Sequence, residues 1–137
     1  MSDSQIVYGD RWGEIIDRPA SDLVELRWFD STATMSKAEF ERWLATFADW
    51  VGRVRRPRVL IDATSFKMNP AFMDGEWRDA NIIPRYNDAG VAKFAFQFPA
   101  GMQMIGQAPA PEGPARFPTG YFGSRQDALD WLTRATG

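Results

Sequence analysis

The first thirty positions alternate apolar and polar residues, which is the pattern of β-strands. Extended segments are predicted over residues 5–8, 12–17 and 22–29, separated by turn residues at Gly9-Asp10 and Pro19-Ala20-Ser21. Because successive strand side chains point to opposite faces, the third segment has two distinct sides. Its predicted core side is Val24, Leu26 and Trp28, and its other side is Leu23, Glu25, Arg27 and Phe29.

From Ser36 the apolar positions change to helical spacing, which predicts a long helix over residues 36–54. Ser36 and Glu39 have the spacing of a capping box, and Met35 is placed to pack on Phe40 across the first turn. Pro57 stops the helix, and the arginines before it put positive charge near the carboxyl end. The predicted buried stripe is Phe40, Trp43, Leu44, Phe47, Trp50, Val51 and Val54.

The second half of the chain is predicted to hold shorter elements. Residues 58–63 form a short apolar run without alternation, as expected of a strand in a parallel sheet that helices cover on both faces. Asn69-Pro70 predicts the start of a helix over residues 70–82, which must finish or bend before Pro84. Further predictions are a strand over residues 91–98, a Pro/Gly-rich surface loop or lid over 99–120, a strand over 116–122, and a last helix capped by Ser124 with Asp127.

Composition narrows the class of protein. A chain of 137 residues is expected to form a single domain, residues 1–137. Its 16 basic and 18 acidic residues give a net charge of -2, so no nucleic-acid partner is expected. The absence of cysteine and histidine removes disulfides, thiol nucleophiles and the commonest metal ligands and general bases. No apolar run predicts a membrane span and the first residues lack a secretion signal, so a cytoplasmic location is expected.

The order of elements and two short segments resemble the SpoIIAA-like branch of the STAS domain superfamily. The segments are Ile61-Asp62, at the end of the buried strand, and residues 121–132, where Tyr-Phe-Gly leads into a capped helix reading Ala-Leu-Asp-Trp-Leu. The resemblance covers nearly the whole chain. It implies an α/β domain with a mixed β-sheet, right-handed crossovers and helices packed mainly on one face.

The chain departs from one functional motif of that superfamily. In its anti-sigma-factor antagonists, a strand-end Asp is followed by an Asp-Ser pair that opens the next helix, and a partner kinase phosphorylates that Ser. Asp62 matches the first Asp, but Asn69-Pro70 stands at the second site, so the phosphoserine switch is not carried over. Thr64 and Ser65 are the hydroxyl residues of the intervening loop. Other SpoIIAA-like proteins without the phosphosite look like small-ligand or lipid binders.

Six residues are candidate ligand-binding positions. Asp62 ends a strand at the carboxyl edge, where open α/β sheets bind ligands, although an Asp there also commonly accepts N–H bonds from the following turn. The other five are apolar residues of the second helix and of the Pro/Gly-rich loop, which either line an adaptable pocket or seal the core. They are Phe72, Met73, Trp77, Met102 and Met104.

The charged clusters of the chain favour plain structural roles. Four arginines at residues 53, 55, 56 and 58 fit either an acidic partner or a solvated helix end. Asp74, Glu76 and Asp79 are spread around the second helix, where Asp74 pairs with Arg78 at i,i+4, so a solvated face is favoured over a metal site. Neither a catalytic carboxylate pair nor a glycine-rich phosphate loop is present. No catalytic residue, metal or cofactor is predicted.

These observations favour a non-enzymatic STAS-like domain that binds an apolar or amphipathic small molecule, or a protein partner, through the second helix and residues 99–120. One alternative is a regulatory or scaffold domain that acts through its surface or as a homodimer. A third hypothesis is an enzyme that uses Asp62 with Tyr86 or Arg85 in the same pocket.

Overall fold

The computed structural model describes residues 4–68, 75–99, 110–111 and 113–134. Their strands are β1 (Gln5–Gly9), β2 (Gly13–Arg18), β3 (Leu23–Trp28), β4 (Arg58–Asp62), β5 (Lys93–Gln97), β6 (Ala110–Pro111) and β7 (Pro118–Phe122). Their α-helices are α1 (Lys37–Val54), α2 (Gly75–Asn81), α3 (Ile83–Ala89) and α4 (Arg125–Thr133). Two short 3-10 helices lie at Pro19–Ser21 and Asp30–Thr34.

The described strands form one mixed sheet in the order β1-β2-β3-β4-β5-β7-β6. The central strands β3, β4, β5 and β7 run parallel, and β1, β2 and β6 extend the two sides in antiparallel pairs. This confirms the predicted α/β class. The carboxyl ends of the four parallel strands therefore meet along one edge, where Arg27, Asp62 and Gln97 lie in register.

The four described α-helices cover both faces of the sheet, three on one side and one on the other. The larger core packs α1 and α3 against Leu26, Ile61 and Phe94 of the sheet, and α2 contacts α3 on that side. On the opposite face, α4 contributes Ala128 and Leu132 to a second, smaller core. The sheet residues of this second core are Leu23, Leu60 and Ala95.

The long helix begins and ends as its sequence predicts. The backbone N–H of Glu39 donates to Ser36 Oγ at 3.1 Å, and the N–H of Ser36 donates to Glu39 Oε1 at 3.1 Å, so the capping box forms. Arg55 closes the helix in the left-handed conformation, two residues before Pro57. The buried face is Trp43, Leu44, Phe47, Ala48 and Val51.

The region before β5 differs from its prediction. A helix is predicted to finish or bend before Pro84, and α2 does end at Asn81, but a second helix, α3, begins at once with Pro84 in its first turn. Proline is tolerated there because first-turn N–H groups have no partner inside the helix. The predicted start of this region at Asn69-Pro70 lies outside the described residues.

The polar side of β3 is buried as well as the apolar side. Val24, Leu26 and Trp28 face the larger core as predicted, but Leu23 and Glu25 on the opposite face are each 0% exposed. This face is buried because α4 covers it. The α4 residue Arg125, which contacts Glu25, is 100 positions away from it in the sequence. Within the described residues, none of the helices has the length and apolar character needed to cross a membrane.

Candidate functional site

A cavity of about 330 Å³ lies between the sheet and the helices of the larger core. Its volume is at the lower end of the ~300–1,000 Å³ that ligand pockets usually have. The sheet supplies the floor, because alternate side chains of β3, β4 and β5 point toward the helices at their carboxyl ends. The floor residues are Leu26, Trp28, Ile61, Phe94 and Phe96.

The helices and the loop after β4 supply the walls. Phe40 and Leu44 come from successive turns of α1, because residues four apart lie on one helix face. Phe66, from the loop after β4, lies 5.1 Å from Trp28 and 5.8 Å from Phe40 between ring centroids. These aromatic contacts hold the walls in place, so the cavity is shaped by packed side chains on regular elements.

Two aromatic residues line the cavity near the carboxyl ends of β5 and β7. They are Phe98 and Tyr121, and Tyr121 is 44% exposed. The rings of Phe96, Phe98 and Tyr121 are nearly parallel: Tyr121 lies 5.4 Å from Phe96 at 5° and 6.2 Å from Phe98 at 7°. The three rings stack on one another, so this side of the cavity is aromatic. Further described residues of the lining are Ala63, Gly75 and Arg78.

Arg78 brings a positive charge to the cavity. Its guanidinium carbon lies 5.6 Å from the ring centroid of Phe94 and 5.9 Å from that of Phe96, within the range of cation–π contacts. The side chain is half-buried, and no carboxylate in the described part of the chain forms an ion pair with it. The cavity is therefore apolar with one cation on its wall.

Tyr86 of α3 brings a hydroxyl to the same cavity. The residue is 1% exposed, and its ring packs 5.4 Å from Phe94 and 6.2 Å from Phe47. Burial raises the pKa of this hydroxyl to about 12, against the opposing effect of the Arg78 and Arg85 charges. At neutral pH the hydroxyl keeps its proton, so it can donate a hydrogen bond but cannot act as a base.

Asp62 lies on the other face of the sheet, between two cavity residues of the same strand end. Ile61 and Ala63 line the cavity, so the side chain between them points toward α4. Its Oδ1 accepts the backbone N–H of Thr64 at 3.1 Å and the Thr64 hydroxyl at 2.6 Å, and its Oδ2 lies 3.5 Å from Arg27 Nε. These are the contacts of a carboxylate that holds the following turn.

A buried carboxylate next to Asp62 organises this second face. Arg125 donates two hydrogen bonds to Glu25, from Nη2 to Oε1 at 2.7 Å and from Nη1 to Oε2 at 2.9 Å. Arg18 Nε also donates to Glu25 Oε1 at 2.9 Å. Burial alone would raise the pKa of Glu25, but the hydrogen bonds and charges of Arg125 and Arg18 outweigh it and lower the pKa. The cluster joins β2, β3 and α4, which gives it a structural role.

The predicted site residues do not gather in one place among the described parts of the chain. Asp62 is on the α4 face, and Trp77 packs half-buried against the larger core without lining the cavity. The structure brings Tyr86 into the cavity but not Asp62, while Arg85 bonds to Asp49 and to the Ala45 carbonyl oxygen on α1. Four predicted positions lie outside the described residues: Phe72, Met73, Met102 and Met104.

The charged clusters singled out in the sequence bond within the chain. Arg56 Nε donates to Asp17 at 2.8 Å, Arg58 donates to the Ser21 carbonyl oxygen at 2.7 Å, and Arg53 lies over the Trp50 ring. Asp74 lies outside the described residues, so its predicted pairing with Arg78 stays a prediction. Across the described ranges, no three acidic side chains come together in a way that could hold a metal ion.

Comparisons with protein-family models, with curated proteins and with solved structures found no match to this chain.

Sequence reasoning missed two features of the site. It assigned Arg78 to a solvated helix face, whereas the guanidinium lies over the rings of Phe94 and Phe96. It also did not find the cavity. The available signal was the alternation of Phe94, Phe96 and Phe98, which places three large rings on one side of a short strand near its carboxyl end.

Proposed function

We propose that this chain is a non-enzymatic binding domain of the STAS type, and that an apolar small molecule occupies the cavity between the sheet and α1. The observation that carries the proposal is the cavity itself, about 330 Å³, whose described lining residues are almost all apolar or aromatic. Empty apolar volume of this size is costly in a domain core, so it is usually retained for a ligand.

Two features favour binding over catalysis. Among the described lining residues, those with polar groups are Arg78, Tyr86, Trp28 and Tyr121, and none of these side chains is a general base at neutral pH. Asp62, the acid at this edge of the sheet, points to the opposite face and is held by Thr64 and Arg27. The cavity therefore offers shape, apolar surface and hydrogen-bond donors.

The STAS assignment is part of the proposal. It is supported by the resemblance of residues 121–132 to the closing segment of SpoIIAA-like proteins, and by a mixed sheet with three of its four described helices on one face. Because the phosphoserine position is Asn69-Pro70 in this chain, the proposed ligand takes the regulatory role that phosphorylation has in the antagonists.

Methyl NMR tests where a ligand binds. The probe is 3-phenylpropanamide, which is neutral and has about the size that the cavity holds, roughly eleven groups at the ~30 Å³ a water-sized group occupies. Leu26, Leu44 and Ile61 line the cavity, while Leu60 and Leu132 face α4 and serve as internal controls. We expect saturable shift changes at the first three methyl groups, with the two controls unchanged.

The same titration is repeated on Leu44→Phe, which fills part of the cavity. We expect its affinity for the amide to fall by about tenfold, since the ligand and the new ring compete for one volume. Shifts of equal size at both sets of methyl groups, or no saturable shifts with either the amide or the corresponding carboxylate, would show that the cavity is not a binding site.

A further inference from the structure

Resting on the proposed function, we propose that the ligand is a small amphipathic carboxylate. Its carboxylate group pairs with Arg78 and accepts a hydrogen bond from Tyr86, and its alkyl or aryl body fills the rest of the cavity.

The first argument is the surroundings of Arg78. Five other arginines in the described part of the chain have carboxylate partners: Arg18, Arg27, Arg56, Arg85 and Arg125. Arg78 has none among the described residues, although it is half-buried over the rings of Phe94 and Phe96. A partly desolvated guanidinium binds a carboxylate strongly, because the pair forms charge-assisted hydrogen bonds in surroundings of low polarity.

The second argument is the Tyr86 hydroxyl. This side chain is 1% exposed and lines the cavity, yet the structure gives its hydroxyl no hydrogen bond within the described parts of the chain. Buried hydroxyl groups normally have a partner. Arg78 and Tyr86 both line this cavity, so the proposal places one acceptor group against both donors.

The third argument concerns which anion fits. One guanidinium and one hydroxyl match the single charge and two oxygens of a carboxylate, whereas a phosphate monoester carries about -1.5 to -2 charges and three oxygens to satisfy. The other described lining residues carry rings and aliphatic side chains, and Phe96, Phe98 and Tyr121 lie parallel to one another. The body of the ligand is therefore hydrocarbon or aromatic.

The test compares 3-phenylpropanoate with 3-phenylpropanamide, which have the same shape and differ in charge. Dissociation constants are measured by methyl NMR on the wild type, on Arg78→Met and on Arg85→Met. Arg85 is the matched control, because it lies on the neighbouring helix and pairs with Asp49 away from the cavity. Octanoate and octanamide form a second pair that distinguishes an alkyl body from an aryl one.

We expect the wild type to bind the carboxylate about tenfold more tightly than the amide, as a charge-assisted pair predicts. Arg78→Met removes that preference, because it weakens carboxylate binding more than amide binding, and Arg85→Met leaves the preference unchanged. Tyr86→Phe weakens carboxylate binding by about threefold to tenfold. If Arg78→Met is poorly folded by circular dichroism, Arg78→Gln is used for the same comparison.

Two results would overturn the inference, and they differ in what else they overturn. Equal affinity of the wild type for acid and amide, in both pairs, refutes the carboxylate and leaves the binding cavity standing. Failure of all four compounds to shift the Leu26, Leu44 and Ile61 methyl groups refutes the inference and the proposed function together.

Discussion

The substitution Leu44→Phe measures directly whether the cavity is open space. Leu44 lies on α1, is 8% exposed and lines the cavity. Phenylalanine adds three carbon atoms, which occupy only a small part of the cavity of about 330 Å³. The matched control is Leu132→Phe on α4, because Leu132 is 1% exposed in the smaller core and borders neither cavity nor solvent.

The two variants are expected to differ in sign. Burying three more carbon atoms recovers up to about 2 kcal/mol, at ~0.8 kcal/mol per buried carbon group, so Leu44→Phe leaves the free energy of unfolding unchanged or raises it by up to that amount. The same three carbons have no room at Leu132, and overpacking costs about 1–3 kcal/mol.

Urea unfolding followed by circular dichroism supplies both free energies. The m-value of each variant is compared with that of the wild type to confirm that the unfolded surface is unchanged. If Leu44→Phe loses as much stability as Leu132→Phe, the space beside Leu44 is already filled and the reasoning about the cavity is refuted.

Three further predictions concern the elements that frame the site. In urea unfolding, Glu25→Gln should lower the free energy of unfolding by about 3 kcal/mol, because it breaks a buried ion pair. The control is Glu14→Gln, whose carboxylate is more exposed and lies 3.4 Å from Arg27, and it should cost under about 1 kcal/mol. Equal losses would contradict the role of the Glu25 cluster. Because folding lowers the pKa of Glu25, ionised Glu25 stabilises the fold above its ordinary pKa of 4.5, and this stabilisation is lost as pH falls below 4.5. Below pH 4.5 the free energy of unfolding of the wild type should therefore fall more steeply with pH than that of Glu25→Gln. Parallel curves would count against this linkage. In the same assay, Lys93→Met should lower the free energy of unfolding by about 2 kcal/mol, since Lys93 Nζ donates to the Trp131 and Arg134 carbonyl oxygens at 2.8 Å each. A loss below about 0.5 kcal/mol would show that these hydrogen bonds do not hold α4 in place.

The local elements could be predicted because their signals are local. The capping box at Ser36 and Glu39, the alternation in β3 and the apolar run of β4 each lie within one element, and each appears in the structure within a few residues of its prediction. Pro84 illustrates the limit: it predicted the end of α2 but gave no sign that a new helix starts at Ile83.

The burial of Glu25 could not be predicted because its cause is distant in the chain. A charged residue in an alternating strand normally faces water, and only the packing of α4, with Arg125 placed over that face, buries it. Its partner Arg18 ends the preceding strand β2, but its partner Arg125 comes from α4, which is adjacent to β3 only in the folded domain. No spacing in the sequence relates Arg125 to Glu25.

The cavity could not be predicted for a similar reason. The sequence pattern of a core aromatic residue is the same whether its ring packs against another ring or lines a cavity. Phe40, Phe94 and Phe96 therefore predict a hydrophobic core but not the cavity within it. Asp62 was predicted to lie at the carboxyl edge of the sheet, and it does, but strand alternation turns it away from the cavity by one position. The neighbouring residues Ile61 and Ala63 line the cavity instead.

Native mass spectrometry of the chain, purified without denaturation, tests the central proposal most directly. We predict that the purified chain carries one added small-molecule mass, which disappears on denaturation. Incubation of the folded chain with 3-phenylpropanoate should give a complex with one molecule of this acid per chain. The population of that complex should be lower for Leu44→Phe. A protein that shows only the bare chain mass, both as purified and after incubation with 3-phenylpropanoate or octanoate, would contradict the proposal that this cavity binds a ligand.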